Sequence, residues 1–388
     1  MIGTTAQAKR PIFLTLVLTF LLVFPKGGIK IGDVPLTWGY LFLLLGAVPF
    51  FFRSVQTVFR SHFQVFLALI PFQCVSIGYF LLFGIGNFGY GSAFIIHFIV
   101  FPSLFFFIFS KAIADIDREF FLGFLKKGIF FLAIYGICLS VFVHTFGFFF
   151  SIPFLTINFG DVGLLEISKC IYREGFFKLI STYNNGNIYG ICLLMLMPLY
   201  LLIEESALKR QIVKLSLVLT LSRTIWVGLI LLELFLIFKN YKKDANSFLK
   251  SILKFIIIFS LIILILFFLG KNLSFLLDPT LGGRSSEFSN FEQPYDHKPF
   301  QGLSEITYLS IYSSFGALGL ITFLFGITSP IWTYYFFRSP SQSLENTKLN
   351  QAIMAGLWGY LILSCSDGAI LYIPVMAFYW FLSAFLLI

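Results

Sequence analysis

Residues 211–238, QIVKLSLVLTLSRTIWVGLILLELFLIF, are two apolar runs parted by Ser222 and Arg223. The run 211–221 is too short to cross ~30 Å of hydrocarbon by itself, and an arginine deep in hydrocarbon is costly. The pair therefore reads as a helical hairpin, 211–221 and 224–238, with the Ser-Arg turn at a membrane surface. Glu233 lies ten residues beyond Arg223, about 15 Å deeper by helical rise, and an interhelical partner such as a serine or tyrosine is expected for it.

The same hydropathy continues in both directions. Spans are expected at 11–25, 36–52, 63–84, 91–110, 128–150, 187–203, 251–269, 304–330, 351–366 and 371–388, which with the hairpin make about twelve. Of 388 residues 58% are hydrophobic and 12% charged, a balance that a water-facing surface cannot accommodate. The expected fold is an all-α integral membrane protein, a single polytopic domain over 1–388 with no 20- to 50-residue repeat. The first span is followed by Lys26 and no small-residue cleavage site, so it reads as an anchor.

Basic residues set the orientation. With the N-terminus inside, the outer set is Lys26, Lys30, Lys169, Arg173, Lys178, Arg223, Lys271, Arg284 and Lys298; the other 18 of the 27 fall inside. This bias accounts for most of the net charge of +9 and meets anionic lipid headgroups, so no nucleic-acid partner is called for. The five cysteines are scattered without a CxxC pair, which supports neither a disulfide framework nor a zinc site. No metal and no cofactor are expected.

Seven of the nine outer basic residues belong to 151–186, 222–223 and 270–303. Two of these segments are long outer loops, 151–186 and 270–303, rich in Phe and Tyr and read as ordered lids. VGLLEISKCI, within the first, has the amphipathic pattern of an interfacial piece. Arg173, Arg223 and Arg284 together suggest an outward anion site, because a guanidinium pairs bidentately with phosphate oxygens and keeps its charge. Taken singly, Arg173 and Arg284 also fit ordinary loop arginines paired with Glu174 and Glu287. Arg223, between apolar runs, is harder to read that way.

These stretches resemble a family. LTLSRTIWVGLILL, residues 219–232, is similar to the Ser-Arg turn of the O-antigen ligase and Wzy-type O-antigen polymerase superfamily. STYNNGNIYGICLLMLMPLYLL, residues 181–202, resembles its Asn- and Gly-rich entry into the preceding span, carried by Asn184, Asn185, Gly186, Asn187 and Gly190. GGRSSEF resembles its Gly-Arg motif at the start of the large outer loop, with Arg284 in that role. EITYLSIYSSFGALGL, residues 305–320, keeps Tyr308, Leu309, Gly316 and Gly319 in register with a ligase-like motif whose first residue is histidine; here Glu305 holds that position. The resemblance covers about 155–330. The spacing of the two loops departs from the repeated arginine motif of some polymerases.

The resemblance implies a GT-C-like bundle in a bacterial inner membrane. It implies transfer of a glycan from undecaprenyl diphosphate to a hydroxyl of an incoming lipid-linked repeat unit, with inversion at the anomeric carbon. The product is O-antigen, capsule or another exopolysaccharide, and a chain-length regulator and a flippase are implied partners. Arg223 and Arg284 would stabilise the leaving diphosphate, and Glu305 would be the base for the acceptor hydroxyl. Arg173, Tyr308, Tyr312, His297 and Asn187 would contact substrate.

Plainer readings stand beside these. Glu305 fits an interfacial carboxylate, the two tyrosines an aromatic belt, and His297 a solvated loop histidine. His97 and His144 read as satisfied core residues, His62 as a residue on the wrong side, and Asp367 as a helix cap. Glutamate in place of histidine favours a polymerase over a ligase that moves glycan to lipid A core. A lipid-linked oligosaccharide transporter or flippase is the rival of another class; it predicts repeat symmetry and broken helices in matching halves, for which this sequence gives no sign.

Overall fold

The computed structural model describes residues 16–31, 34–54, 58–163, 165, 171–173, 176–241, 253, 260, 299–300, 305–337 and 344–388. Nearly all of the expected span 251–269 and of the loop 270–303 lies outside these residues, as does most of VGLLEISKCI. The described chain is mostly helical: α1 (Trp38–Ser54), α2 (Arg60–Phe83), α3 (Phe88–Ile108), α4 (Arg118–Phe146), α5 (Gly186–Ile203), α6 (Ala207–Val218), α7 (Arg223–Tyr241), α8 (Thr307–Phe337), α9 (Leu344–Leu363) and α10 (Ile373–Leu386). Five of them, α2, α3, α4, α5 and α8, are long and apolar enough to cross a membrane. A shorter helical stretch precedes α1 and is π-wound over Thr19–Val23.

Helix ends follow local chemistry. Asn87, Asp117, Asn185 and Ser206 each accept backbone N–H groups from the first turn of α3, α4, α5 and α6, supplying acceptors that the helix itself lacks there. α4 stops at Gly147, whose φ of 81° turns the chain left-handed. α8 is kinked at Gly316 (φ 63°, ψ −170°), a conformation open to glycine and strained for other residues.

The mostly helical architecture agrees with the all-α expectation, to which the structure adds two short antiparallel hairpins, β1 (Gly28–Ile31) with β2 (Val34–Thr37) and β3 (Tyr172–Arg173) with β4 (Phe176–Phe177). They pair backbone groups in connections where no helix does so. The described part of the loop 151–186 is tied to the bundle. Trp38 Nε1 donates to Phe154 O at 2.6 Å and Leu179 N to Leu219 O at 3.0 Å, while Asn184 Nδ2, donating to Thr156 O at 2.9 Å, closes the loop on itself.

Packing sorts the helices. All residues of α10 are buried, and α5 is buried over most of its length, whereas α2, α4 and α8 bury about a third of their apolar windows and turn the rest outward. That is the division expected when a membrane, in place of water, covers the rim of a bundle. Phe72, Phe94, Phe98, Phe315 and Phe323 interlock edge-to-face or tilted and join α2, α3 and α8.

Two buried histidines fasten α10 and its approach. The His97 Nδ1–H donates to Ile370 O at 2.9 Å while Nε2 faces Tyr40 Oη at 3.3 Å. The His62 Nε2–H donates to Ala384 O at 2.9 Å, leaving Nδ1 to accept from Ser110 Oγ at 2.6 Å. His144 departs from the core reading. It is exposed near the end of α4, with Nδ1 at 2.7 Å from Ser140 O.

The hairpin read from 211–238 is present as α6 and α7, joined at 219–222. Lys214 Nζ lies 2.5 Å from Glu233 Oε1, which fixes the antiparallel register. The partner of Glu233 is thus a lysine, a correction to the serine or tyrosine expected, and the ion pair explains how a carboxylate is tolerated so far along α7.

Candidate functional site at the Arg223 end

The described residues of 24–37, 84–87, 147–185, 219–222, 299–306 and 364–372 gather at one end of the bundle, held together by contacts between them. Gly86 N donates to Pro299 O at 2.9 Å, Gly28 bridges Asn158, and the Lys26 ammonium lies 5.2 Å from the Tyr372 ring centroid. Lys26 is half-buried; burial lowers its pKa from the ordinary lysine range, and the nearby Asp161 carboxylate acts in the opposite sense.

Within this end, three helices begin against one turn. Thr224, the second residue of α7, shares a hydrogen bond with Ser366 (Oγ1···Oγ 3.0 Å). Asn187, the second residue of α5, donates from Nδ2 to Asp367 Oδ2 at 2.9 Å. Thr307, which opens α8, places Oγ1 so close to Gly368 that a Cβ there would collide with it. Consecutive residues 366, 367 and 368 thus each engage the N-terminal turn of a different helix. A glycine at 368 is required by that approach. The neighbouring Ala369 takes up a φ of 46°, and Leu221, two residues before Arg223, one of 51°.

Arg223 is the first residue of α7 and is half-buried. Asn187 is polarised by its bond to Asp367, and Asn185 beside it accepts from the Asn187 and Ile188 amides. Glu305 is exposed, two residues before α8. Tyr312 is half-buried on α8, but Tyr308 turns its hydroxyl into the bundle and donates to Leu361 O at 2.7 Å. The structure therefore gathers Arg223 and Asn187 around the 366–368 turn, with Glu305 just before the helix that Thr307 opens. Arg173 forms the β3 ladder with Phe176, and its side chain is not among those described; Arg284 and His297 lie outside the described residues.

Asp367, Ser366, Thr224 and Thr307 are the members that sequence reading missed. Asp367 was expected to cap a helix; α10 begins after Tyr372 without a side-chain cap, and the carboxylate accepts from Asn187 at the start of α5. The available signal was the polar run SCSD between two apolar spans. Among the described residues no group of three His, Cys, Asp or Glu side chains is placed to hold a metal.

Below this end, α5, α7 and α9 leave a cavity of about 460 Å³ lined by Leu194, Pro198, Gly228, Leu232, Met354 and Trp358. Gly228 is five residues along α7 from Arg223, so one helix carries both the cation and the apolar wall.

No protein-family model, no curated protein and no solved structure matches this chain.

Proposed function

We propose that the chain is a polysaccharide polymerase of a bacterial inner membrane. It would span that membrane about twelve times in a GT-C-like bundle and transfer a glycan from undecaprenyl diphosphate to a lipid-linked repeat unit. The Arg223 end faces outward in this reading, because the basic residues that break the inner bias collect there. The observation that carries the proposal is that three helix N-terminal turns, one of them opened by the half-buried Arg223, meet at one polar turn. Helix N-termini and a guanidinium both favour a multiply charged anion.

The leaving diphosphate gains charge as the glycosidic bond breaks, and Arg223, with Arg284, offsets that charge most at the transition state. Glu305 takes the proton of the acceptor hydroxyl as oxygen attacks the anomeric carbon from the face opposite the diphosphate. The carboxylate is then protonated, and the diphosphate leaves with the bonding electron pair. The donor's isoprenoid tail lies between helices, with the apolar cavity beside α7 as its first stretch. Arg173, Asn187, Tyr312 and His297 contact the glycan or diphosphate, and Tyr308 supports them from within the bundle. A chain-length regulator and a flippase act beside it.

The deciding experiment is reconstitution of the purified chain with a synthetic undecaprenyl-diphosphate oligosaccharide. A ladder of longer lipid-linked glycans supports polymerase. Transfer to lipid A core makes the chain a ligase, and movement of intact lipid-linked glycan across the bilayer without bond formation makes it a transporter. Arg223→Lys keeps the charge and loses the bidentate fork, so polymer should fall strongly while the protein still accumulates in the membrane.

A further inference from the structure

The turn at 366–368 presents an electrostatic contradiction. Three helices, α5, α7 and α8, point their N-termini at it, each equivalent to roughly half a positive charge. Two hydroxyls add unused donors. Thr307 Oγ1 and Ser310 Oγ, on residues 2% and 1% exposed and one turn apart on α8, have no hydrogen-bond partner. Thr307 Oγ1 points at Gly368, where a Cβ would also come within 2.8 Å of Ser364 Oγ. Such a focus suits a polyanion, yet the chain places a carboxylate of its own there: Asp367, 6% exposed and bonded to Asn187.

From this we infer that Asp367 is a resident competitor for the diphosphate. It lowers the focus's hold on that anion so that the lipid diphosphate can depart after transfer. The inference rests on the polymerase reading above and deepens it by assigning the release of product. With Asp367 ionised, an incoming diphosphate meets the helix N-termini already part-compensated, and a like charge close by. Without it, the same N-termini, the orphan hydroxyls and Arg223 would act on the diphosphate together, and the leaving group would become an inhibitor. Asn187 is the link, because it joins the carboxylate to the first turn of α5.

The test uses the full chain in lipid nanodiscs, with inorganic pyrophosphate and undecaprenyl diphosphate as probes and inorganic phosphate as the monophosphate control. Asp367→Asn keeps the shape and can still accept from Asn187 while losing the charge. It should bind pyrophosphate about tenfold more tightly, a change of about 1.4 kcal/mol, and be inhibited at correspondingly lower undecaprenyl diphosphate. Asn187→Asp adds a second carboxylate to the focus and should weaken binding by a similar factor. This opposite sign separates the proposal from damage to the fold, which weakens binding in both variants.

Unchanged or weaker binding in Asp367→Asn, with wild-type pyrophosphate binding that Arg223→Lys reduces, overturns the competitor role alone. Absence of pyrophosphate binding in every variant, Asp367→Asn included, overturns this inference and the anion-site reading beneath it. Nanodiscs made with and without anionic phospholipid divide the two sources of phosphate. A tenfold gain seen for pyrophosphate in both supports the diphosphate, whereas a gain that vanishes in anionic lipid assigns the focus to headgroups and overturns the proposal.

Discussion

The two ends of the bundle differ in how much backbone strain they hold. At the end bearing Lys126, charged side chains pair with one another and with aromatic rings. Lys126 pairs with Glu204 at 3.8 Å, Arg118 donates to Asn346 at 2.6 Å and packs over Phe385, and Arg60 lies over Phe337. Side chains bind backbone across long stretches of sequence at both ends: Ser61 and His62 reach Leu387 and Ala384 on the Lys126 side, and similar bonds hold the Arg223 side. Thr182 and Tyr183 donate to Val23 and Leu22, and Asn184 to Thr156. The six described non-glycine residues of positive φ, Phe154, Ser181, Asn184, Leu221, Phe300 and Ala369, all lie at that end. Left-handed backbone costs roughly 1–2 kcal/mol per ordinary residue, and such strain concentrates where geometry serves a function. The contrast teaches that one end is optimised for stability and the other holds an arrangement that stability alone would relax.

Four predictions bear on this contrast. The largest effect is expected for the proposed base. Glu305→Gln should lower single-turnover glycan transfer by about 10²- to 10⁴-fold, while Glu204→Gln at the opposite end leaves it within about twofold, as expected of a group remote from the transition state. Near wild-type transfer by Glu305→Gln removes the chemical half of the comparison and moves the search to His297 or to deprotonation by substrate phosphate.

Next is Gly368→Ala, whose Cβ would strike Thr307 Oγ1. Overpacking of this kind costs about 1–3 kcal/mol. The variant should melt earlier, and Thr307→Ala placed in the same chain should recover most of the loss. If the second substitution recovers nothing, the close contact of α8 with the 366–368 turn is not what destabilises the variant.

A third test makes one substitution at both ends. Ala369 sits at φ 46°, whereas Ala352 is within α9. Glycine at 352 should destabilise by about 1 kcal/mol, its usual penalty within a helix. At 369 it should be neutral or stabilising by about the same amount, because glycine adopts that φ without strain. Equal losses at both positions would dissolve the claim that the Arg223 end is strained.

The fourth prediction concerns Glu204. Burial by itself would raise its carboxyl pKa, but the Ser206 amide and the Lys126 and Lys209 ammonium groups outweigh that and hold it below the usual carboxylate range. A depressed folded-state pKa contributes stability that is present above the unfolded value and is lost as pH falls through the folded one. The melting temperature of wild type should therefore approach that of Glu204→Gln on acidification below the ordinary carboxylate range. The difference at neutral pH should be about 1–3 kcal/mol, the usual cost of losing hydrogen bonds to a buried charged group. A gap that widens in acid contradicts the sign.

Hydropathy made the helices legible, and the Ser222–Arg223 break located the α6–α7 hairpin, because a membrane permits few ways to place twenty apolar residues or one arginine. It could not find the partner of Glu233, since Lys214 becomes its neighbour only after the hairpin closes. The hairpins β1–β2 and β3–β4 were missed because strands of two to four residues carry almost no periodicity. The candidate site was half legible. Arg223, Asn187 and Glu305 stood out as polar residues at span boundaries, whereas Asp367 acquires its meaning from Asn187, 180 positions away. Tyr308 stood out too, but spacing along a helix cannot tell a ring facing substrate from one whose hydroxyl is used by Leu361 O.

The burial of α10 on every side has a consequence for how the protein is made. The helices that surround α10 all precede it in the chain, so they leave the ribosome and enter the bilayer before their central member exists. Until it arrives, Ser61, His62 and His97 lack the carbonyls of Leu387, Ala384 and Ile370 to which they are bonded in the finished bundle. These polar groups, facing a gap the width of one helix, would favour the late entry of a segment that can supply acceptors at those three heights. The centre of the bundle is then completed only after the helices around it have been made.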